Sequence, residues 1–436
     1  MSAFYPVDSA PVKQSASEPP DRPKLFQILG PGLITGASDD DPSGIATYSQ
    51  AGAQFGYDLG WTLLFSFPLM CAIQEISARI GRVTGRGIAG NLKLHYPLWI
   101  LYALMFLLVV ANTLNLGADL GAMAAALKLL IGGNALLYVA GFGALSLFLQ
   151  VFVRFARYVS LLKWLTLSLF AYVGVALVVH VPWGTVGYRL VVPHLSFRAD
   201  YLTVVVAVLG TTISPYLFFW QAEQEVEEVK EKDGAKPLSR DPKAAPVEFD
   251  RIRIDTYLGM FFSNVVALFI MITAAATLNA HGLTNIQTSS QAAEALRPIA
   301  GPYVFLVFAL GIIGTGLLAV PVLSGSAAYA LGEAFGWHVG LSRVLSRAKG
   351  FYAIIGLAML VGAGLNFSTI DPVKALFWSA VINGVVAVPV MVMMMLLASR
   401  PSVMGRFTLK PMLKSVGWIA TFAMAAAAIG MFATMA

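Results

Sequence analysis

Asp39-Asp40-Asp41-Pro42-Ser43-Gly44 lies within the apolar segment 27–55, and Thr211-Thr212-Ile213-Ser214-Pro215 lies within the apolar segment 200–228. Each places a proline and small polar residues where a continuous membrane helix would carry hydrocarbon. Proline removes one amide donor and crowds the carbonyl four residues earlier, so a helix stops or kinks there. In lipid every freed backbone group costs several kcal/mol, so such an interruption persists only where it lines protein or a water-filled cavity.

The composition around these stretches places the chain in a membrane. Of 436 residues 58% are apolar and 12% charged, against about 45–50% and about 25% for soluble domains. Apolar segments long enough to cross the hydrocarbon core fall at 27–55, 59–78, 98–127, 133–153, 160–182, 200–228, 254–279, 300–330, 350–370, 373–398 and 411–434, which predicts eleven spans. The first 24 residues carry no apolar signal core, so the N-terminus is expected to remain cytoplasmic and mobile. With the N-terminus inside, 24 of the 29 Lys and Arg residues fall in cytoplasmic loops, leaving only Lys128, Arg189, Arg198, Arg297 and Lys374 outside. The opposite orientation inverts that ratio. Because the basic residues follow the loops and form no stripe with interleaved aromatics, the net charge of +6 does not indicate nucleic acid. The lone cysteine, Cys71, sits in an apolar run and reads as a small core residue.

The expected organisation is a cytoplasmic N-terminal segment 1–26, spans 1–5 over 27–182, an external loop 183–199, spans 6–10 over 200–398, and an eleventh span within 399–436. Inside the second half, the Lys-, Asp- and Pro-rich stretch 229–253 reads as a solvated cytoplasmic loop. Interrupted hydrophobic segments at corresponding positions of two halves point to an inverted-repeat secondary transporter with its site at the interruptions.

Asp41 stands at the first interruption, and an ionised carboxylate at membrane depth costs at least ~2.5 kcal/mol unless paired, so a bound cation is its natural partner. Asp39 and Asp40 read instead as a hydrated loop. At the second interruption Pro215 frees the Thr211 carbonyl, an oxygen ligand suited to a hard cation such as Mg2+, and Ser43, Gly44, Thr211 and Ser214 leave space for its retained waters. Helix packing by small residues is an equal reading for Thr211 and Ser214. Asp119 shares a helical face with Asn112 and Asn115 and suits either the cation pathway or a structural hydrogen bond. Glu75 is expected to pair with Arg79 four residues on. The cluster Glu223, Glu225, Glu227 and Glu228, and likewise Glu333, reads as an inner vestibule or a solvated helix end. No phosphate loop, metal-binding His pair or nucleophile elbow is present, the histidines are scattered, and the Gly-rich stretch 81–87 follows no strand, so enzymatic chemistry and a cofactor are not expected.

Asp41-Pro42-Ser43-Gly44-Ile45-Ala46-Thr47, followed by Gln50-Ala51-Gly52 and Phe55-Gly56-Tyr57, resembles the first-span signature of the Nramp family, and Arg79-Ile80-Gly81-Arg82-Val83-Thr84-Gly85-Arg86 resembles its loop after span 2. The resemblance implies an all-α integral membrane protein of the LeuT-like (APC superfamily) fold, with 11 transmembrane helices, a 5+5 inverted repeat and broken helices 1 and 6. It also implies a metal site between those two helices. Iron- and manganese-type members carry an Asp and an Asn on span 1 and an Ala and a Met on span 6; here those positions are Asp41, Gly44, Thr211 and Ser214. Without the soft sulfur ligand, the preference is expected to move toward Mg2+ and Mn2+.

The family histidine after the span-6 proline is Tyr216, and tyrosine, with a reference pKa of about 10, accepts no proton at neutral pH. The span-3 acid pair reads Leu116 and Asp119, and a polar span-10 residue falls near Asn383. The pattern, with Ser214 to Gln221 opening the second half of span 6, is similar to the Nramp-related magnesium transporters. It implies a multi-pass protein of the inner or plasma membrane that carries Mg2+ or Mn2+ as cargo, probes no nucleic acid and requires no protein partner. Transport is expected without proton coupling, with Asp41, Gly44, Thr211 and Ser214 at the metal and Ser43, Asp119, Tyr216, Glu223 and Asn383 around it. A proton-coupled Mn2+/Fe2+ symporter and an organic-solute carrier on the same scaffold are the alternatives.

Overall fold

The computed structural model describes residues 31–153, 167–232, 234–368 and 370–435. The N-terminal segment 1–26, residues 27–30 of the first expected span, residues 160–166 of the fifth and the basic residues Lys13, Arg22, Lys24, Arg154, Arg157 and Lys163 lie outside them. Among the described residues every regular element is helical. The principal helices are α1 (Pro31–Asp39), α2 (Pro42–Phe55), α3 (Gly60–Thr84), α4 (Ile88–His95), α5 (Leu98–Ile131), α6 (Ala135–Phe152), α7 (Phe170–Val178), α8 (Trp183–Val191), α9 (Ala199–Thr212) and α10 (Pro215–Glu231). They continue with α11 (Ala245–Thr277), α12 (Val304–Phe335), α13 (Lys349–Leu365), α14 (Pro372–Ser399) and α15 (Pro411–Met435).

Among the described residues eight helical stretches are long and apolar enough to cross a membrane, or nine when the pair Leu167–Val178 and Trp183–Val191, bent by 118°, is taken as one. Two expected spans fall short of that test. Lys349–Leu365 is only 17 residues long, and the segment around Asp39, Asp40 and Asp41 is divided between α1 and α2.

The divisions follow from local chemistry. A residue before proline is driven out of the helical region, and Asp41 (ψ 170°) and Ser214 (ψ 134°) are both extended ahead of Pro42 and Pro215. Each proline then occupies the first turn of the next helix, where a missing N–H costs nothing. The two interruptions differ in extent: α9 and α10 remain one apolar stretch, Ala199–Glu231.

Glycines set the closest contacts. A Cβ at Gly32 or Gly36 of α1 would lie 2.7 or 2.4 Å from the α11 backbone, and one at Gly52 of α2 would lie 2.2 Å from the Met271 carbonyl of α11. One at Gly210 of α9 would lie 2.2 Å from the Ala380 carbonyl of α14, and one at Gly81 of α3 would lie 2.1 Å from the Ala222 carbonyl of α10. The four half-helices flanking the interruptions are thus each seated on a neighbour, backbone against backbone. The apolar core fills both sides of this arrangement, with Tyr48, Leu116, Tyr216 and Tyr329 in one cluster and Ile76, Phe218, Met391 and Met394 in another. Cys71 is a buried free thiol in the second cluster.

Most of the stretch 229–253 is exposed or partly exposed, but it is partly helical and tied to the protein. Helix α10 runs to Glu231 and α11 already begins at Ala245. Between them the Leu238 and Ser239 amides donate to the Arg82 and Val83 carbonyls at 3.1 Å each, and Leu238 is fully buried. The carbonyls left free at the end of α3 draw this segment onto the protein. Beneath it Arg251 bonds Glu225 (2.5 Å), Glu248 (2.9 Å) and Glu228 (3.1 Å), while Arg82 bonds Glu248 at 2.6 Å. The pairing expected of Glu75 is present, with Arg79 at 2.5 Å. The segment 183–199 contains helix α8, held by Arg189 to Asp58 at 3.1 Å.

Candidate functional site

Asp41 is the N-cap of α2, and its two carboxylate oxygens have different partners. Oδ1 accepts from the Ser43 hydroxyl at 2.6 Å and the Gly44 amide at 2.8 Å, capping the helix. Oδ2 points across the interface and accepts from Asn115 Nδ2 of α5 at 2.9 Å, with the Tyr216 hydroxyl of α10 at 3.4 Å. A carboxylate offers about four lone-pair sites. Oδ1 is occupied by the cap, whereas Oδ2 holds one close donor and one distant one, so Oδ2 is the atom with capacity for a cation. The Tyr216 hydroxyl also lies 3.2 Å from the Ser38 carbonyl.

The two interruptions are in contact. A Cβ at Gly44 would lie 3.1 Å from Thr211 Cγ2 and 3.3 Å from Tyr48 Cε2. On the α9 side, the Ser214 hydroxyl donates to the Gly210 carbonyl at 2.6 Å and the Thr211 carbonyl at 2.9 Å. The serine at the N-cap reaches back one turn, and its single proton is divided between two carbonyls, so the Thr211 carbonyl keeps lone-pair capacity beyond this contact. The Thr211 side chain is turned away along its own helix, donating to Ala207 O at 2.9 Å.

Asn115 joins these groups to the rest of the bundle. Its Nδ2 also donates to Asp119 Oδ2 at 3.3 Å, and its Oδ1 accepts from Ser379 Oγ at 2.9 Å and Asn383 Nδ2 at 3.3 Å, both on α14. Asp119 Oδ1 and Asn383 Oδ1 are buried without a hydrogen-bond partner. Asp41, Gly44, Thr211, Ser214, Ser43, Asp119, Tyr216 and Asn383 are thus brought together. Glu223 is not: it lies about two turns along α10 from Tyr216, where a Cβ at Gly87 would lie 1.8 Å from its Oε1 and 2.6 Å from Glu333 Oε2. Glu333 caps α4, accepting from the Gly87 and Gly90 amides at 2.8 and 2.7 Å. Glu223, Glu225 and Glu227 are all buried, whereas the last residues of α10, Lys230 and Glu231, are exposed.

Two expectations need correcting. Asp39 and Asp40 are not a hydrated loop: they are 1% and 6% exposed. The close seating of α1 on α11 carries them to Ser263, whose Oγ lies 2.5 Å from Asp39 Oδ2 and 3.2 Å from Asp40 Oδ1. The hub role of Asn115 was also not read from the sequence, where only its shared face with Asp119 was visible. Ser379 and Ser263 gave no signal, since their approach depends on the register between distant helices. Among the described residues no three His, Cys, Asp or Glu side chains gather as a metal cluster; the site combines two carboxylates, Asp41 and Asp119, with amides, hydroxyls and carbonyls.

A Nramp family model, described as natural resistance-associated macrophage protein-like, matches residues 32–434. The chain is 25% identical over 399 residues to a divalent metal cation transporter MntH of Acidiphilium cryptum, covering 89% of this chain and 85% of the relative. It is 24% identical over 424 residues to the MntH of Klebsiella pneumoniae, covering 94% and 95%. Among solved structures, a manganese transporter of Eremococcus coleocola superposes with a TM-score of 0.73 at 17% identity, covering 97% of this chain and 90% of that one. Mhp1, a nucleobase-cation-symport-1 family transporter, superposes with a TM-score of 0.53 at 14% identity, covering 93% of each chain. With a family match running through nearly all of its helices, from α1 to α15, the chain belongs to the Nramp family, whose members named here are transporters and not enzymes.

Proposed function

We propose that the protein is a multi-pass transporter of the inner or plasma membrane that carries a divalent metal cation, Mg2+ or Mn2+, by alternating access and without proton coupling. It belongs on this reading to the magnesium-transporting branch related to Nramp, with eleven spans, a 5+5 inverted repeat, broken helices 1 and 6, a cytoplasmic N-terminus and an external C-terminus. The observation that carries it is Asp41 Oδ2: a buried carboxylate oxygen at the contact between the two interruptions, surrounded by oxygen and amide groups. Oxygen donors with no thioether favour a hard cation that keeps part of its water. Asp41 is the charged ligand, the second lone pair of the Thr211 carbonyl faces the cargo, and Gly44 and Ser214 make room or contact it through water. Membrane potential supplies about 4.6 kcal/mol per 100 mV for a divalent ion, so inward flux needs no second driving ion.

A proton-coupled Mn2+/Fe2+ symporter is the second reading, favoured by Asp119, buried with an unpartnered oxygen beside Asn115. The test is flux into liposomes containing the pure protein, with Mg2+, Mn2+ and Ca2+ outside and a pH indicator inside. Uptake of Mg2+ and Mn2+ at constant internal pH is expected; acidification in step with uptake establishes the symporter, and absence of metal uptake rejects both.

A further inference from the structure

Asp39, Asp40 and Asp41 are consecutive, yet they do not share one environment. Because the chain is extended at Asp41, Asp41 faces α5 and α10, whereas Asp39 and Asp40 turn toward α11. Their donors are unequal. Asp41 accepts from a serine hydroxyl, a backbone amide and an asparagine amide. Asp39 and Asp40 have the Ser263 hydroxyl between them, and a hydroxyl carries one proton, so it serves one of them at a time. Asp39 Oδ1 has no hydrogen-bond partner, and among the described residues neither carboxylate is ion-paired. A second, independent group stands near them: the Tyr48 hydroxyl, fully buried and without a hydrogen-bond partner, within electrostatic reach of Asp39, Asp40 and Asp41. One divalent ion at Asp41 leaves this pair uncompensated, and an uncompensated buried charge is costly.

We propose that Asp39, Asp40, Ser263 and Tyr48 form a second oxygen-lined cation station, distinct from the Asp41 site and specific for hard divalent ions. Two carboxylates and two hydroxyls, completed by water, match what such ions take. Helix α1 runs beside α11 in the same direction, Gly32 against Asp255, Gly36 against Gly259 and Asp39 against Ser263. The station therefore lies between Asp41 and the end of the bundle where α11 begins and Arg82 meets Glu248. On the proposed function, on which this inference rests, a cation leaving Asp41 toward the cytoplasm passes it, and while an ion stays there its charge opposes the entry of the next at Asp41.

Equilibrium Mn2+ binding to the purified full chain tests this, paired with anomalous scattering to place the ions. Wild-type protein is expected to bind two Mn2+ per chain, one of them at Asp39, Asp40 and Ser263. Asp40→Asn should leave one, with the anomalous signal at Asp41 retained. Ser263→Ala, which adds no bulk and removes no charge, should weaken the second ion about tenfold, and Asp41→Asn should lose the other ion instead. A single Mn2+ per wild-type chain, or two retained in both Asp40→Asn and Ser263→Ala, overturns the station while leaving Asp41 in place. No Mn2+ bound to folded wild-type protein overturns the station and the proposed function together.

Discussion

Gly44 and Thr211 face each other closely across the two helix interruptions: a Cβ at 44 would lie 3.1 Å from Thr211 Cγ2, so the methyl group would have to give by a few tenths of an ångström. Overpacking of this kind costs about 1–3 kcal/mol, so Gly44→Asn should lower the melting temperature in detergent. Adding Thr211→Ala should recover most of the loss, giving a coupling of about 1 kcal/mol or more in a double-mutant cycle. Additive effects of the two substitutions would show that the interruptions do not pack as described.

Asp41→Asn keeps a cap for α2 but removes the charge, and Asp41→Ala removes both. Metal flux should be lost in each variant. Only Asp41→Ala should also lose roughly 1 kcal/mol of stability, the usual cost of a missing N-cap. Liposome flux and thermal unfolding read the two effects separately, and full flux in Asp41→Asn would remove Asp41 from the site.

Asn115→Ala takes away the donor that orients Asp41 Oδ2 and the acceptor for Ser379 and Asn383. Metal affinity should fall about 10–100-fold, as when a partner of a metal ligand is removed. Ser379→Ala should cost less and be non-additive with Asn115→Ala in the same calorimetric titration. Independent effects would place Ser379 outside the network.

Ser214→Met introduces a thioether at the second interruption and removes the hydroxyl that occupies the Gly210 and Thr211 carbonyls. Relative flux should shift from Mg2+ toward Cd2+, a softer ion. An unchanged Cd2+ to Mg2+ ratio would mean that position 214 does not face the cargo.

Arg251→Met leaves Glu225, which is fully buried, without its guanidinium. Breaking one side of a buried ion pair costs about 3–5 kcal/mol, so the variant should melt well below wild type. Glu225→Gln in the same chain should restore much of the loss; if it does not, Glu248 and Glu228 are the partners that matter.

Much of this arrangement was legible in the sequence, and the reason lies in proline and hydropathy. Pro42 and Pro215 come with small polar neighbours, Ser43-Gly44 and Thr211, Thr212 and Ser214, which made both interruptions readable, whereas Pro68, Pro321 and Pro389 stand between apolar neighbours and leave α3, α12 and α14 unbroken. What could not be read depends on how helices register. Asn115 shares a face with Asp119 by the helical repeat, but its contact with Asp41 requires α5 to lie beside α2 at one height. Ser263 meets Asp39 only because Gly32 and Gly36 let α1 settle onto α11. The stretch 229–253 is largely exposed or partly exposed, in keeping with its polar composition, but that composition did not show that the open carbonyls at the end of α3 hold it at Leu238 and Ser239.

The glycine seams also fix where this molecule bends. Helices α1 and α2 lie directly on α11, α9 on α14, and α10 against α3, each with main chain touching main chain and no side chain between to compress. Surfaces so bare of cushioning leave no slack across them, and each half-helix travels with the column it rests on. At 40–41 both half-helices rest on one column, α11, and stay together; at 213–214 they rest on two, α14 and α3, so a swing of those columns is taken up there, beside the cargo of the proposed function.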